Sequence, residues 1–179
     1  MVMKTKMLSL VAVVALGGAL LAGCASNQRW PAITAPPTGQ HTPGRWVWAE
    51  LFSADVAEAR RFYGDVFGWG FKTRGSGPDA YTLISAGDQP VAGIVHKARP
   101  DGEGRAGQWL GVLSVADVDR AAGLVESGGG QVLVTPRDFA GRGRAAVLAD
   151  PEGARFGVLH SNGGDPPDVF PEFDTWLWR

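Results

Sequence analysis

Two stretches of this chain carry the same residues in the same order. At an offset of 62, Leu51 meets Leu113, Ala54-Asp55-Val56 meets Ala116-Asp117-Val118, Ala59 meets Ala121, Gly68 meets Gly130 and Asp88 meets Asp150. A slip of two residues then sets Gly93 on Gly157 and His96 on His160. Self-similarity of this kind marks a duplicated supersecondary unit that leaves one face uncovered until its copy joins it.

Each copy reads the same way along its length. An alternating run, Trp46 to Phe52, predicts a strand, and Asp55 beside Ser53 supplies a helix cap. Val56, Ala59, Phe62, Tyr63, Val66 and Phe67 then recur at helical spacing until Gly68. Strand-like pieces follow around 70–74, 81–85 and 91–96, with turns at Asp79, Gly87-Asp88 and Pro90. In the second copy the strand is 109–115, the cap Asp117 and the helix ends at Gly128-Gly129-Gly130. Its later strands lie at 131–135, 144–149 and 155–160. The expectation is an α+β domain over 45–160, built from βαβββ modules at 45–99 and 106–160. Pro100 to Arg105 would link the modules.

The ends read differently. Lys4 and Lys6 precede an uncharged apolar run from Met7 to Leu21, which is short for a membrane span of about 20 residues. Leu21-Ala22-Gly23-Cys24 resembles the lipobox of bacterial lipoproteins. That resemblance implies a signal peptide over 1–23, lipidation of Cys24, and an envelope location, on the periplasmic face of the outer membrane. Cys24 is also the chain's one cysteine, so no intrachain disulfide can form. Residues 24–44 are polar and Pro-rich and read as a flexible tether, with His41 an exposed bystander. Residues 161–179 form an acidic tail with Phe170, Phe173, Trp176 and Trp178. Its Trp176-Leu177-Trp178 resembles Trp46-Val47-Trp48, which suggests either a docking tail or the opening of a further domain.

The phrases Trp48-Ala49-Glu50-Leu51-Phe52-Ser53-Ala54-Asp55, Phe62-Tyr63-Gly64-Asp65-Val66-Phe67-Gly68-Trp69 and Asp150-Pro151-Glu152-Gly153 resemble the vicinal-oxygen-chelate superfamily. Glyoxalases, bleomycin-resistance proteins and extradiol dioxygenases belong to it. The resemblance implies a cupped mixed sheet. It also implies a metal held by one residue on the first strand and one on the last strand of each module. Those slots fall on Trp48, Gly93, Leu110 and Gly157. Indole, leucine and glycine offer a divalent ion no side-chain lone pair, so no metal and no cofactor are expected.

Glu50 shares strand parity with Trp48, so both would face the cavity. A buried carboxylate there is either a ligand contact or the partner of an arginine. Trp48, Glu50, Phe52 and Trp109 are the candidate ligand-binding residues, and Trp46 is a further candidate for the aromatic lining. His96 and His160 have the opposite parity and fall at the rim or outside. Gly141-Arg142-Gly143-Arg144 reads as a solvated positive turn. No phosphate-binding loop or Gly-x-Ser-x-Gly occurs. With 17 basic against 18 acidic residues, nothing marks a nucleic-acid partner.

The resulting expectation is a membrane-anchored domain that binds a small organic ligand without metal, and whether it catalyses a reaction stays open. The alternatives are a metal-dependent lyase or dioxygenase of the glyoxalase type, and an envelope protein-interaction module. The resemblance also leaves a homodimer open.

Overall fold

The computed structural model describes residues 30–77, 80–97 and 107–168. The signal segment, Cys24, Asp79, the linker at 100–105 and the tail aromatics lie outside the described residues.

The duplication appears as eight strands and two helices. The first module contains β1 (Trp46–Ser53), α1 (Val56–Phe67), β2 (Gly70–Arg74), β3 (Tyr81–Ala86) and β4 (Gln89–His96). The second contains β5 (Gly107–Ser114), α2 (Val118–Ser127), β6 (Gln131–Phe139), β7 (Gly143–Ala149) and β8 (Arg155–Ser161). Both helices start as their sequence signals predict. The Asp55 carboxylate accepts from the Glu58 amide at 2.8 Å, and Asp117 accepts from Arg120 at 3.0 Å. Each cap satisfies an amide that no helical carbonyl can reach, a contribution of about 1 kcal/mol. Gly68 ends α1 in the left-handed region, at φ 66°, and its N–H donates to the Gly64 carbonyl.

All strands join one sheet in the order β2-β3-β4-β1-β5-β8-β7-β6. The modules meet at its centre, where β1 and β5 run antiparallel with Glu50 opposite Leu110 and Leu51 opposite Trp109. Within each module the first and last strands pair parallel, β1 with β4 and β5 with β8. Parity then divides the side chains between two faces. On one, Leu51, Ile84, Ala92 and Ile94 pack under α1, and Ala146, Leu148 and Val158 pack under α2. On the other, Trp48, Tyr81, Leu83, Val112 and Leu159 form a third cluster, with no helix over it among the described residues.

That helix-free face is covered in part by the segment read as a tether. Ile33 is 1% exposed among Trp48, Tyr81 and Leu83. The Thr38 and Gly39 amides donate to the Gly163 carbonyl at 2.8 and 3.0 Å, and the Asp165 amide donates to the Gln40 carbonyl at 2.7 Å. The Thr42 amide donates to the Asp165 carboxylate at 2.6 Å. Residues 30–44 are therefore a strap lying on the domain, which corrects the tether reading for that stretch. A polar, Pro-rich composition excludes helix and ladder but not docking. Prolines reduce the freedom the unfolded chain loses on ordering, and two apolar anchors, Trp30 and Ile33, supply the burial.

His41 is likewise half-buried and not an exposed bystander. It lies 2.9 Å from the Ser161 carbonyl and stacks on His160 at 4.3 Å. His160 itself is half-buried, and His96, at the end of β4, is exposed.

Candidate functional site

A cavity of about 80 Å³ opens on the helix-free face where the two modules meet. β1 supplies Trp48, Glu50 and Phe52, three alternate residues that the pleat points the same way. β5 supplies Leu110 and Val112, and β7 and β8 supply Ala145, Val147, Gly157 and Leu159. The strap adds Trp30, and the end of β6 adds Phe139.

The polar floor of this apolar cup is one connected network. Glu50 is buried and pairs with the Arg142 guanidinium through Oε1. Trp48 Nε1 donates to the same oxygen at 3.0 Å. The Tyr81 hydroxyl lies 3.0 Å from both Glu50 oxygens and donates to the carboxylate, while accepting from Arg142 Nη2 at 2.8 Å. Arg142 Nε donates to the Pro31 carbonyl at 2.9 Å, which ties the strap to the floor. Three rings surround the guanidinium, those of Trp30, Trp48 and Tyr81, with centroids at 5.1, 5.4 and 5.1 Å. Rings at this range attract a cation through their negative faces.

Burial sets the protonation of the network. It pushes the Glu50 carboxyl up from its ordinary value, against the pull of Arg142 and of the Tyr81 and Trp48 hydrogen bonds. It also pushes the Tyr81 hydroxyl up, with the neighbouring Glu50 charge adding to the shift. For Arg142, burial disfavours the charge, but Glu50 and Tyr81 outweigh it and raise its pKa. Tyr81 therefore stays protonated and Arg142 stays charged. Glu50 Oε1 takes the donors of Arg142, Tyr81 and Trp48, while Oε2 meets the Tyr81 hydroxyl alone, so the carboxylate is pinned through one oxygen. The arrangement orients the carboxylate and neutralises it.

The four positions that the superfamily gives to metal ligands do not fit a divalent ion. Trp48 turns its N–H, a donor, toward Glu50, and Leu110 presents methyl groups. A Cβ placed on Gly93 would lie 1.7 Å from the Tyr81 hydroxyl, so the space a longer side chain would need is already occupied. At Gly157 a Cβ would meet Val112 at 3.1 Å. Among the described residues the sole carboxylate lining the cavity is bonded to a guanidinium, and like charge beside it opposes a second cation.

The sequence-predicted site residues separate into two groups. Trp48, Glu50 and Phe52 line the cavity together. Trp109 does not: it lies on the helix-bearing face, where its Nε1 donates to the Tyr63 hydroxyl at 2.8 Å and its ring meets Tyr63 and Trp69. Leu110, its neighbour, has the cavity-facing parity, so assigning Trp109 there was one residue out of phase. Trp46 is also on the helix-bearing face, exposed and stacked over Gly111. Arg142 corrects the solvated-turn reading, since it is 5% exposed and central to the site. Tyr81 and Trp30 were missed, although Gly93, over which the Tyr81 hydroxyl lies, is a signal that something large must fill the vacancy.

With the fold and cavity established, comparison places the chain among known proteins. Residues 26–158 match the family described as the Glyoxalase/Bleomycin resistance protein/Dioxygenase superfamily, and the chain belongs to it. A Mycobacterium bovis protein named as a glyoxylase, CFP32, is 29% identical over 146 residues, covering 80% of this chain and 56% of its own. The anthracycline biosynthesis protein DnrV of Streptomyces peucetius is 38% identical over 129 residues, covering 65% of this chain and 46% of its own. This chain thus spans about half the length of the curated relatives it matches. A methylmalonyl-CoA epimerase solved with methylmalonyl-CoA and NH4+ superposes with a TM-score of 0.51 at 18% identity, over 70% of this chain and 100% of that one. That likeness concerns the fold alone.

Proposed function

We propose that this member of the superfamily binds a small organic molecule in the cavity between its modules and does so without a metal. The observation that carries the reading is the cavity floor: an ion pair, Arg142 with Glu50, lines the same cavity as Trp48, Leu110 and Gly157, three of the four metal-ligand slots, beneath aromatic and aliphatic walls. Apolar walls with a few fixed polar groups are the usual form of a ligand site. The test is a titration of the purified full chain with zinc, nickel, manganese and iron(II), followed by a fragment screen read at the Trp48 indole N–H. No metal binding together with fragments that shift Trp48 supports the proposal. One equivalent of metal bound at micromolar affinity overturns it and makes lyase and dioxygenase assays the next step.

The anchor belongs to the same proposal. Cleavage before Cys24 and acylation there would hold the domain on the envelope, because each buried CH₂ contributes about 0.8 kcal/mol and several chains act together. Substituting Cys24→Ser should release the protein from membranes and abolish the lipid mass increment.

A second reading, an interaction module, has one observation in its favour. Trp46, Phe62, Val66, Phe67 and Trp109 stay exposed around α1, none of whose residues is buried. A second copy of the chain would cover that face as a homodimer, and sedimentation over a concentration series reads its presence directly.

A further inference from the structure

The cavity already holds an aromatic ring, and it comes from the chain itself. Trp30, the first described residue of the strap, lines the cavity and lies with its ring 5.1 Å from the Arg142 guanidinium. It meets Tyr81 at 5.1 Å with the ring planes 58° apart, and Phe139 at 5.1 Å nearly edge-on, at 73°. The indole is half-buried. Its contacts are those a planar ligand would make: a cation beneath its face and aromatic edges around it.

What remains of the cavity beside this ring is small. About 80 Å³ is roughly half the ~150 Å³ of an engineered protein cavity that takes up benzene. A ligand with two fused rings could not be enclosed there while Trp30 stays in place. The strap can give Trp30 up without coming away, because its fixed points lie further along, in the hydrogen bonds of Thr38, Gly39, Gln40 and Thr42 to residues 163–165. Near Trp30, among the described residues, the chain is tied to the floor by the Pro31 carbonyl, bonded to Arg142, and by the Ile33 side chain three residues on, which can stay seated while the ring leaves.

We propose that Trp30 is a displaceable internal plug, and that the cavity's ligand is a planar aromatic molecule that takes the indole's place against the Arg142 guanidinium. The proposal rests on the small-molecule reading above and narrows it to a ligand class. The plug also sets specificity, because only a ligand that restores the ring–guanidinium contact compensates for losing Trp30. A saturated molecule of the same outline fills the volume but does not replace the third ring face, leaving the guanidinium with those of Trp48 and Tyr81 alone.

The test compares 2-naphthol with decahydro-2-naphthol on the wild type, Trp30→Ala and Trp30→Phe, by calorimetry and by the indole N–H resonances. The proposal expects Trp30→Ala to bind 2-naphthol at least ten-fold more tightly than the wild type, with Trp30→Phe between them. The saturated alcohol should gain less than three-fold. In the wild type, saturating 2-naphthol should move the Trp30 indole resonance toward its solvent-exposed position. If Trp30→Ala binds 2-naphthol no better than the wild type, Trp30 is a fixed wall and the proposal fails. Equal gains for both alcohols overturn the aromatic preference. Binding of the saturated alcohol that shifts Trp48 with no dependence on Trp30 sinks the plug but leaves small-molecule binding standing. No binding of either compound to any variant overturns the plug, and the fragment screen then decides the broader reading separately. Thermal melts of both variants confirm that each is folded.

Discussion

Arg142 and Glu50, 92 residues apart in the chain, meet as an ion pair whose side chains are each 6% exposed. Breaking one side of such a pair leaves an uncompensated buried charge, at a cost of about 3–5 kcal/mol, whereas replacing both sides can be nearly neutral. Arg142→Met should therefore lower unfolding stability by about 4 kcal/mol, and adding Glu50→Leu should recover most of the loss. Urea unfolding of the two single variants and the double variant measures the coupling. Additive losses would mean that the pair is not the unit that holds the floor.

The pH dependence follows from the raised Glu50 pKa, in which burial outweighs Arg142. The folded protein holds the Glu50 proton more tightly than the unfolded chain, whose carboxyl titrates near the ordinary value of 4.5. The stability this adds is fully present below that value and is lost as pH rises toward the folded pKa. Between pH 4 and pH 7 the wild type should therefore lose stability relative to Glu50→Gln, which keeps one accepting oxygen for Arg142, Trp48 and Tyr81 but does not titrate. A constant difference between the two proteins across that range would refute the assignment.

Two glycines facing opposite sides of the sheet should respond unequally to alanine. A Cβ at Gly93 falls 1.7 Å from the Tyr81 hydroxyl and 2.6 Å from a Glu50 oxygen, both inside the buried network. A Cβ at Gly111 falls 2.4 Å from the far edge of Trp46, which is 63% exposed and free to swing away. Gly93→Ala should cost at least about 3 kcal/mol and disturb the Tyr81 ring signal, and Gly111→Ala should cost less than about 1 kcal/mol. Similar losses at the two sites would contradict the packing described for Tyr81.

How far the chain could be read before its structure follows from which signals are local. Caps, glycine stops and strand parity are properties of neighbours in sequence. The duplication, both helices and the shared face of Trp48, Glu50 and Phe52 were therefore legible. Trp109 was misplaced because its residue type suggested a binding role and outweighed its parity. Arg142 gave no local sign of burial, since a Gly-Arg-Gly-Arg turn is polar wherever it lies. Only its partner, a carboxylate on an inward-facing strand, required that some arginine arrive, and nothing in the spacing said which. The strap was hidden for a related reason: docking by Trp30 and Ile33 depends on a groove whose residues run from Trp48 to Leu159, most of them far along the chain.

The strap's attachment should open independently of the sheet. Thr38, Gly39, Gln40 and Thr42 are held through Gly163 and Asp165, and the Asp165 carboxylate accepts the Thr42 amide at 2.6 Å. A hydrogen bond to a charged group contributes about 1.5–3 kcal/mol, and this one sits on a segment with no ladder of its own. Asp165→Ala should therefore speed amide exchange at Thr38, Gly39 and Thr42 by about ten- to a hundred-fold. Exchange at Leu51 and Leu148, buried within β1 and β7, should stay unchanged. Uniform acceleration across strap and sheet would mean that residues 38–42 open only with the whole domain. Selective acceleration would instead place this attachment at the low-stability end of the molecule, opening while the sheet stays closed.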